Sequence, residues 1–243
     1  MKSDCGPELV VSFIVPAYNE ARYIGAALDA IHAAARELGK LYEIVVANDA
    51  SSDDTGRIAQ EHGARVVDSG KRQIAATRNA GARASSGQYL FFVDADTHVH
   101  AALVAEALRA LRAGAVGGGA RVTFHAAVPR WVKVFMAFFT PLYFGIGRWA
   151  AGCFVFCTRA AFDATGGFDE TTYAGEEIHF SRALKKVGRF VVLREWVATS
   201  PRKVEGRGFW EMMRINLDVM RKAGFEGRIK RREDAGFWYD DKR

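Results

Sequence analysis

Apolar strand-like runs alternate with helical stripes through the first half of this chain, and that alternation limits the fold more than any other feature. Val10–Val15 is a β-branched run that stops at Pro16. Ile24, Leu28 and Ile31 then recur at helical spacing as far as Gly39. Tyr42–Ala47 reads as a second strand, Thr55–His62 as a helix closed by Gly63, and Ala64–Asp68 as a third short strand. Ile74–Ala84 reads as a helix and Gln88–Val93 as the fourth strand. Leu103, Val104, Ala107, Leu108 and Leu111 form a helical stripe that ends at Gly114. Strands separated by helices need right-handed crossovers and pair in parallel. The expected fold class is α/β, a mostly parallel central sheet flanked by helices.

Sheets of this kind bind ligands beyond the carboxyl ends of their strands. Three polar clusters fall at such ends: Pro16–Glu20, Asn48–Asp53 and Asp94–Asp96. They are expected to meet on one rim. In the third, the run Tyr89–Val93 ends abruptly in Asp94-Ala95-Asp96. Two carboxylates at a strand tip suit a hard divalent cation, which prefers oxygen ligands. The same acids would also serve a helix-capping loop. There is no Gly-x-Gly-x-x-Gly after the first strand and no Gly-Lys-Ser/Thr loop, so the usual dinucleotide and P-loop readings lose support.

The second half is less regular. Gly117-Gly118-Gly119 precedes an expected strand at Ala120–Phe124, and another is expected at Cys153–Thr158. Gly166–Glu170 reads as a turn, Glu177–Val187 as a helix and Phe190–Leu193 as a last strand. Val134–Gly147 is 14 residues without a charge, bounded by Lys133 and Arg148. A bilayer needs about 20 residues, and Pro141, Gly145 and Gly147 oppose a long regular helix. Three readings stay open for it: a buried core segment, an apolar acceptor groove, or an interfacial membrane contact. Beyond Pro201 the chain is basic and aromatic. A helix over Phe209–Met220 would lie on an anionic membrane, cover the acceptor site, or pack on the sheet. Arg228–Arg232 reads as a solvated basic cluster.

The 243 residues allow a sizeable core, and the net charge of +6 gives a mild attraction to anions. Cys5, Cys153 and Cys157 are too few and too sparsely spaced for a disulfide framework or a zinc site, which suggests a reducing compartment. Met1–Glu8 is short and polar and lacks the character of a secretory signal. The expected location is cytoplasmic, with peripheral contact at the inner face of the membrane as an open possibility.

Six motifs then occur in a telling order. They are Val15-Pro16-Ala17-Tyr18-Asn19-Glu20, Asn48-Asp49-Ala50-Ser51-Ser52-Asp53-Asp54-Thr55, Ala76-Thr77-Arg78-Asn79-Ala80-Gly81, Asp94-Ala95-Asp96, Gly166-Gly167-Phe168-Asp169-Glu170 and Gly175-Glu176-Glu177. Together, over residues 10 to 200, they resemble the family-2 glycosyltransferases with the GT-A fold. The resemblance implies a nucleotide-sugar-binding half at 1–115 and an acceptor-binding, catalytic half of the same domain at 116–205. A basic aromatic extension would occupy 206–243. Pro16, Ala17, Tyr18 and Glu20 would line the nucleoside pocket, and Asp49 would accept a hydrogen bond from the base. The commoner pair there is Asp-Asp, whereas this chain has Asn48-Asp49, so the base stays open. Arg78 would reach the diphosphate. Asp94 and Asp96 would hold the sugar nucleotide through Mg²⁺ or Mn²⁺, with Asp96 the closer ligand.

Glu177 matches the place of the catalytic base. The family usually has Glu-Asp, so Glu176-Glu177 is a departure and Glu176 stays an alternative. Both would also serve as helix N-terminal acids favoured by the dipole. His98, His100 and His179 read as loop or helix-surface residues outside the catalytic set. The implied function is inverting transfer of a sugar from a UDP- or GDP-linked donor to a hydroxyl on a polysaccharide, glycan or lipid-linked acceptor. Two rivals use similar parts. A nucleotidyltransferase would carry a Gly-rich basic loop after the first strand, which Pro16–Arg22 lacks. A non-catalytic nucleotide- or glycan-binding scaffold would not need the acids. The basic residues match no nucleic-acid-binding motif.

Overall fold

The computed structural model describes residues 11–223 and 229–236. Val10, the Met1–Glu8 segment with Cys5, Arg228 of the basic cluster and residues 237–243 lie outside the described residues. An eight-stranded sheet organises the chain. Its strands are β1 (Val11–Ala17), β2 (Tyr42–Asn48), β3 (Arg65–Asp68), β4 (Tyr89–Val93), β5 (Thr97–His98), β6 (Ala115–Phe124), β7 (Phe154–Thr158) and β8 (Arg189–Thr199). They lie in the order β3-β2-β1-β4-β7-β6-β8-β5. The strands from β1 to β4 pair in parallel, as does β6 with β8, while β7 runs against both β4 and β6. Helices α1 (Ile24–Glu37), α2 (Thr55–Glu61), α3 (Ile74–Ala84), α4 (Ala101–Arg112), α5 (Arg130–Thr140), α6 (Arg159–Thr165), α7 (Glu176–Val187) and α8 (Phe209–Ala223) complete the described fold. This is the α/β class expected from the alternating runs.

Strand periodicity divides the core in two. Phe13, Val15, Phe91, Val93, Phe154 and Phe156 turn to one face, where Ile24, Leu28 and Ile31 of α1 and Leu103, Val104 and Leu108 of α4 cover them. Ile14, Leu90, Phe92, Val155 and Cys157 turn to the other, under Ala75 and Ala82 of α3, Phe162 of α6, and Phe180 and Leu184 of α7. The Phe92 ring lies 4.9 Å from that of Phe168, 5.9 Å from Phe162 and 6.3 Å from Phe180. Full burial of such a ring contributes about 1.5–3 kcal/mol. On the same face α3 sits tightly on β1, because a β-carbon at Gly81 would come 2.5 Å from Ile14 Cγ2.

Several boundaries differ from expectation, each for a physical reason. β1 continues through Pro16 to Ala17. Its pairing with β4 stops at Ile14, so the missing Pro16 N–H leaves no gap in that ladder. β6 includes Gly117–Gly119 instead of starting after them, because that stretch pairs with β7 on one side and β8 on the other. β8 runs on past Leu193 to Thr199. Neither α6 nor β5 was anticipated.

The uncharged segment forms most of α5, followed by one π-helical turn, Pro141–Ile146. Its reading as a core segment is corrected. Val132, just before it, and Phe144 are buried, but Val134, Phe138, Leu142 and Ile146 are 58%, 78%, 60% and 80% exposed. Among the described residues no helix is long and apolar enough to cross a membrane.

Candidate active site

Parallel pairing brings the ends of β1, β2 and β4 to one rim, with Ala17 opposite Asn48. The loops that follow are tied together. Asn19 takes a positive φ of 52°, a conformation Asn tolerates better than most residues. There its backbone N–H donates to Ser51 Oγ at 3.0 Å and its Oδ1 accepts from the Ser52 N–H at 2.8 Å. The Glu20 N–H donates to Thr55 Oγ1 at 2.8 Å, and the Asp49 N–H to the Ala17 carbonyl at 2.8 Å. The polar clusters thus line a single cleft of about 670 Å³, which takes in Pro16, Ala17, Tyr18, Glu20, Asp49, Arg78, Asp94, Asp96, Glu176 and Glu177.

Asp49 is buried. Its Oδ1 accepts from Ser69 Oγ at 2.8 Å and from the N–H groups of Lys71 and Arg72 at 2.8 and 2.7 Å. That folds Ser69–Arg72 against the cleft and sets the Arg72 guanidinium 3.8 Å from the centre of the Tyr18 ring.

Arg78, expected at the diphosphate, has protein partners here. It is 2% exposed, because α3 presents it to the sheet. Nη1 donates to Glu176 Oε1 at 2.6 Å, and Nη2 to Asp94 Oδ1 at 2.9 Å and to the Gly152 carbonyl at 2.8 Å. Burial alone would lower its pKa, but the Asp94 and Glu176 carboxylates reverse that and hold it raised. Arg78 therefore ties an acid of the strand tip to an acid of α7.

Gly175, at φ 79°, turns the chain into α7, so that Glu176 and Glu177 occupy its first turn. The two acids differ in surroundings. Glu176 is buried against Arg78. Glu177 lines the cleft 3.4 Å from the Tyr143 hydroxyl. Burial, then the neighbouring Glu176 charge, pushes the Glu177 carboxyl up to about 8. The Tyr143 hydroxyl also donates to the Ala150 carbonyl at 3.0 Å, and burial beside Glu177 raises its pKa well above the usual phenol value.

Asp96 lies deeper than Asp94, with side chains 9% and 33% exposed. Thr199 Oγ1 and Thr97 Oγ1 sit 3.3 and 3.4 Å from Asp96 Oδ1. Oδ2 meets Arg202 Nε at 2.9 Å, while both Arg202 Nη groups fork onto Glu20 at 2.6 and 2.7 Å. Both carboxylates offer the hard oxygen donors that Mg²⁺ or Mn²⁺ takes, so the donor chemistry fits. Among the described residues no cluster of three or more His, Cys, Asp or Glu could hold an ion.

The histidines stand apart from this chemistry. His98 stacks on His125 with ring centres 4.6 Å apart, and His100 Nδ1 caps α4 by accepting from the Leu103 N–H at 3.3 Å. Sequence reasoning missed Arg72, Tyr143, Arg202 and Lys203 in the cleft. Arg202 is 182 residues from Glu20, and no local pattern announces that pairing.

A mixed sheet with acids and polar loops gathered at one rim defines the GT-A fold. Residues 12–164 match the model of Glycosyl transferase family 2, more than half of the chain, and the chain belongs to that family. It is 32% identical over 99 residues to the uncharacterized glycosyltransferase EpsJ of Bacillus subtilis, covering 39% of this chain and 28% of EpsJ. It is 36% identical over 91 residues to the glycosyltransferase GlyA of Streptococcus pneumoniae, covering 35% of this chain and 13% of GlyA. The chain thus matches less than a third of the length of either relative. Among solved structures, the mannosyltransferase PcManGT of Pyrobaculum calidifontis, in complex with GDP-Man and Mn²⁺, superposes with a TM-score of 0.68. The two are 23% identical, over 86% of this chain and 61% of that one. Glucosyl-3-phosphoglycerate synthase of Mycobacterium tuberculosis, with Mn²⁺, UDP and glucosyl-3-phosphoglycerate, superposes at 0.58 and 20% identity, over 87% and 78%. At such identities the likeness concerns the fold.

Proposed function

We propose that this chain transfers a sugar from a UDP- or GDP-linked donor to an acceptor hydroxyl with inversion at the anomeric carbon. The observation that carries this reading is the gathering of Asp49, Asp94, Asp96 and Glu177 in one cleft beyond the parallel strand ends. The complexes of the two solved neighbours with GDP-Man and with UDP, both alongside Mn²⁺, support the choice of donor class.

The nucleoside end of the cleft is the Pro16–Glu20 loop with Asp49 and the stacked Tyr18 and Arg72. Asp94 and Asp96 would hold Mg²⁺ or Mn²⁺, which when bound supplies positive charge against the diphosphate. Arg78 keeps Asp94 aimed into the cleft and acts on the leaving group through that acid. Glu177 takes the acceptor proton, because it faces the cleft while Glu176 is committed to Arg78. The hydroxyl then attacks the anomeric carbon from the face opposite the diphosphate, and a single displacement inverts the configuration. Tyr143, beside Glu177, orients that carboxylate.

For the acceptor side we propose a lipid-linked hydroxyl compound presented at a membrane surface. The exposed stripe Val134, Phe138, Leu142 and Ile146 supports this, since Tyr143 and Phe144 of the same segment reach back toward the cleft and the core.

The test is a screen of UDP- and GDP-sugars with and without Mn²⁺, reading the released product. Free nucleoside diphosphate is expected, and none from Asp96→Ala. Pyrophosphate released when a nucleoside triphosphate and a sugar 1-phosphate are offered instead would favour the nucleotidyltransferase, and binding without turnover would favour the scaffold.

A further inference from the structure

We infer that Arg202 is a built-in competitor for the divalent cation: it holds Asp96 against a free ion, so that the site takes its cation together with a diphosphate. The inference rests on the donor reading above for its second half only.

Each acid of the strand tip has its own arginine, Asp94 with Arg78 and Asp96 with Arg202. The two arginines are not equivalent. Arg78 is 2% exposed at the wall of the cleft and is also held by Glu176 and the Gly152 carbonyl. Arg202 side-chain exposure is 16%, and the residue sits on a single 3-10 turn, Pro201–Lys203, directly after β8. That turn is placed by the Ser200 N–H, which donates to the Asp96 carbonyl at 3.2 Å, and by Ser200 Oγ, which accepts from the Arg202 N–H at 3.3 Å. The guanidinium is flanked by the Tyr23 ring, with 5.0 Å to its centre. Arg202 is therefore the one of the pair that can turn into the cleft without opening the core.

A divalent ion approaching Asp96 meets a guanidinium nitrogen 2.9 Å from the oxygen it needs. Two cations on one carboxylate repel, and the fork on Glu20 anchors the first. A diphosphate changes the balance. Its oxygens supply ligands for the ion and a second fork-shaped partner for the guanidinium, which binds phosphate and carboxylate alike. Cation and diphosphate thus enter with mutual help, and Arg202 moves from Asp96 to the phosphate edge.

Calorimetric titration with Mn²⁺ alone, and with Mn²⁺ in saturating UDP or GDP, tests this on the wild-type chain, on Arg202→Gln and on Glu20→Gln/Arg202→Gln. The double variant removes both charges of the Arg202–Glu20 pair, so that Glu20 is not left buried and unpaired if the single variant fails to fold, while Asp96 loses its arginine in both. Wild type should bind Mn²⁺ alone weakly and about tenfold or more tightly with diphosphate. The double variant should bind Mn²⁺ alone about tenfold more tightly than wild type, with the help from diphosphate reduced. Equal affinity of wild type and double variant for Mn²⁺ alone, at unchanged melting temperature, overturns the inference. A wild type that binds neither UDP nor GDP with Mn²⁺ overturns the donor reading instead, and the comparison with Mn²⁺ alone still decides the role of Arg202.

Discussion

Glu176 and Glu177 show how adjacent residues of one type acquire different surroundings. At the residue scale the difference is one of partners. Glu176 closes a buried ion pair with Arg78, whereas Glu177 faces the cleft beside a phenol. Glu177→Gln should therefore cost about 10²- to 10⁴-fold in transfer rate and leave nucleoside diphosphate affinity unchanged by calorimetry. Glu176→Gln should act on stability: breaking a buried pair costs about 3–5 kcal/mol, readable as a lowered urea midpoint. The raised Glu177 value also sets a pH dependence. Transfer needs the ionised form, so its rate should climb as pH rises through about 8. Stability moves the other way. The proton bound in the fold is released more readily in the unfolded chain. The contribution is therefore full below the ordinary value of 4.5 and is lost as pH rises toward about 8. A rate that is flat from pH 6 to 9 would count against Glu177 as the base.

Among the elements, β4 and α7 decide the geometry. β4 is buried on both faces and ends on the acids, so the position of Asp94 and Asp96 depends on how firmly its rings are held. Phe92 meets rings from α6, from α7 and from Phe168 in the loop between them. Phe92→Ala should destabilise the fold by about 3–5 kcal/mol in chemical denaturation. It should also weaken Mn²⁺ and diphosphate binding, because α7 carries the partner of Arg78. A stability loss with binding unchanged would show that the rim is positioned independently of that face.

At the scale of the whole molecule, charge and apolar surface are segregated. From His125 to Phe162 the chain carries no acid, while Arg130, Lys133, Arg148 and Arg159 are basic. The exposed stripe of α5 and the π-helical turn lies within this stretch. α8 reaches it, since the Trp131 and Phe209 rings are 6.0 Å apart, and adds exposed Trp210 and Leu217 with Arg214 and Arg221. An exposed apolar stripe with exposed Arg130 and Lys133 on the same helix suits an anionic bilayer surface. The chain should float with phosphatidylglycerol-containing liposomes and not with neutral ones, and Phe138→Glu/Ile146→Glu should abolish flotation. Equal flotation of the variant would remove the membrane from the proposal.

The strand and helix periods of Val11–Leu111 were legible because each run buries a face whose spacing the backbone fixes, and the rim of polar clusters follows from parallel pairing. The motif order likewise carried the family. The second half was harder to read because its glycine-rich β6 breaks the usual turn rules in the middle of the sheet. The uncharged segment also looks like core while mostly facing outward. What the sequence determined was the local pattern and the supply of acids. Which acid pairs with Arg78, and which cation sits on which carboxylate, was decided by contacts between residues up to 182 positions apart. A chain encodes such pairings only through the packing that brings them within reach.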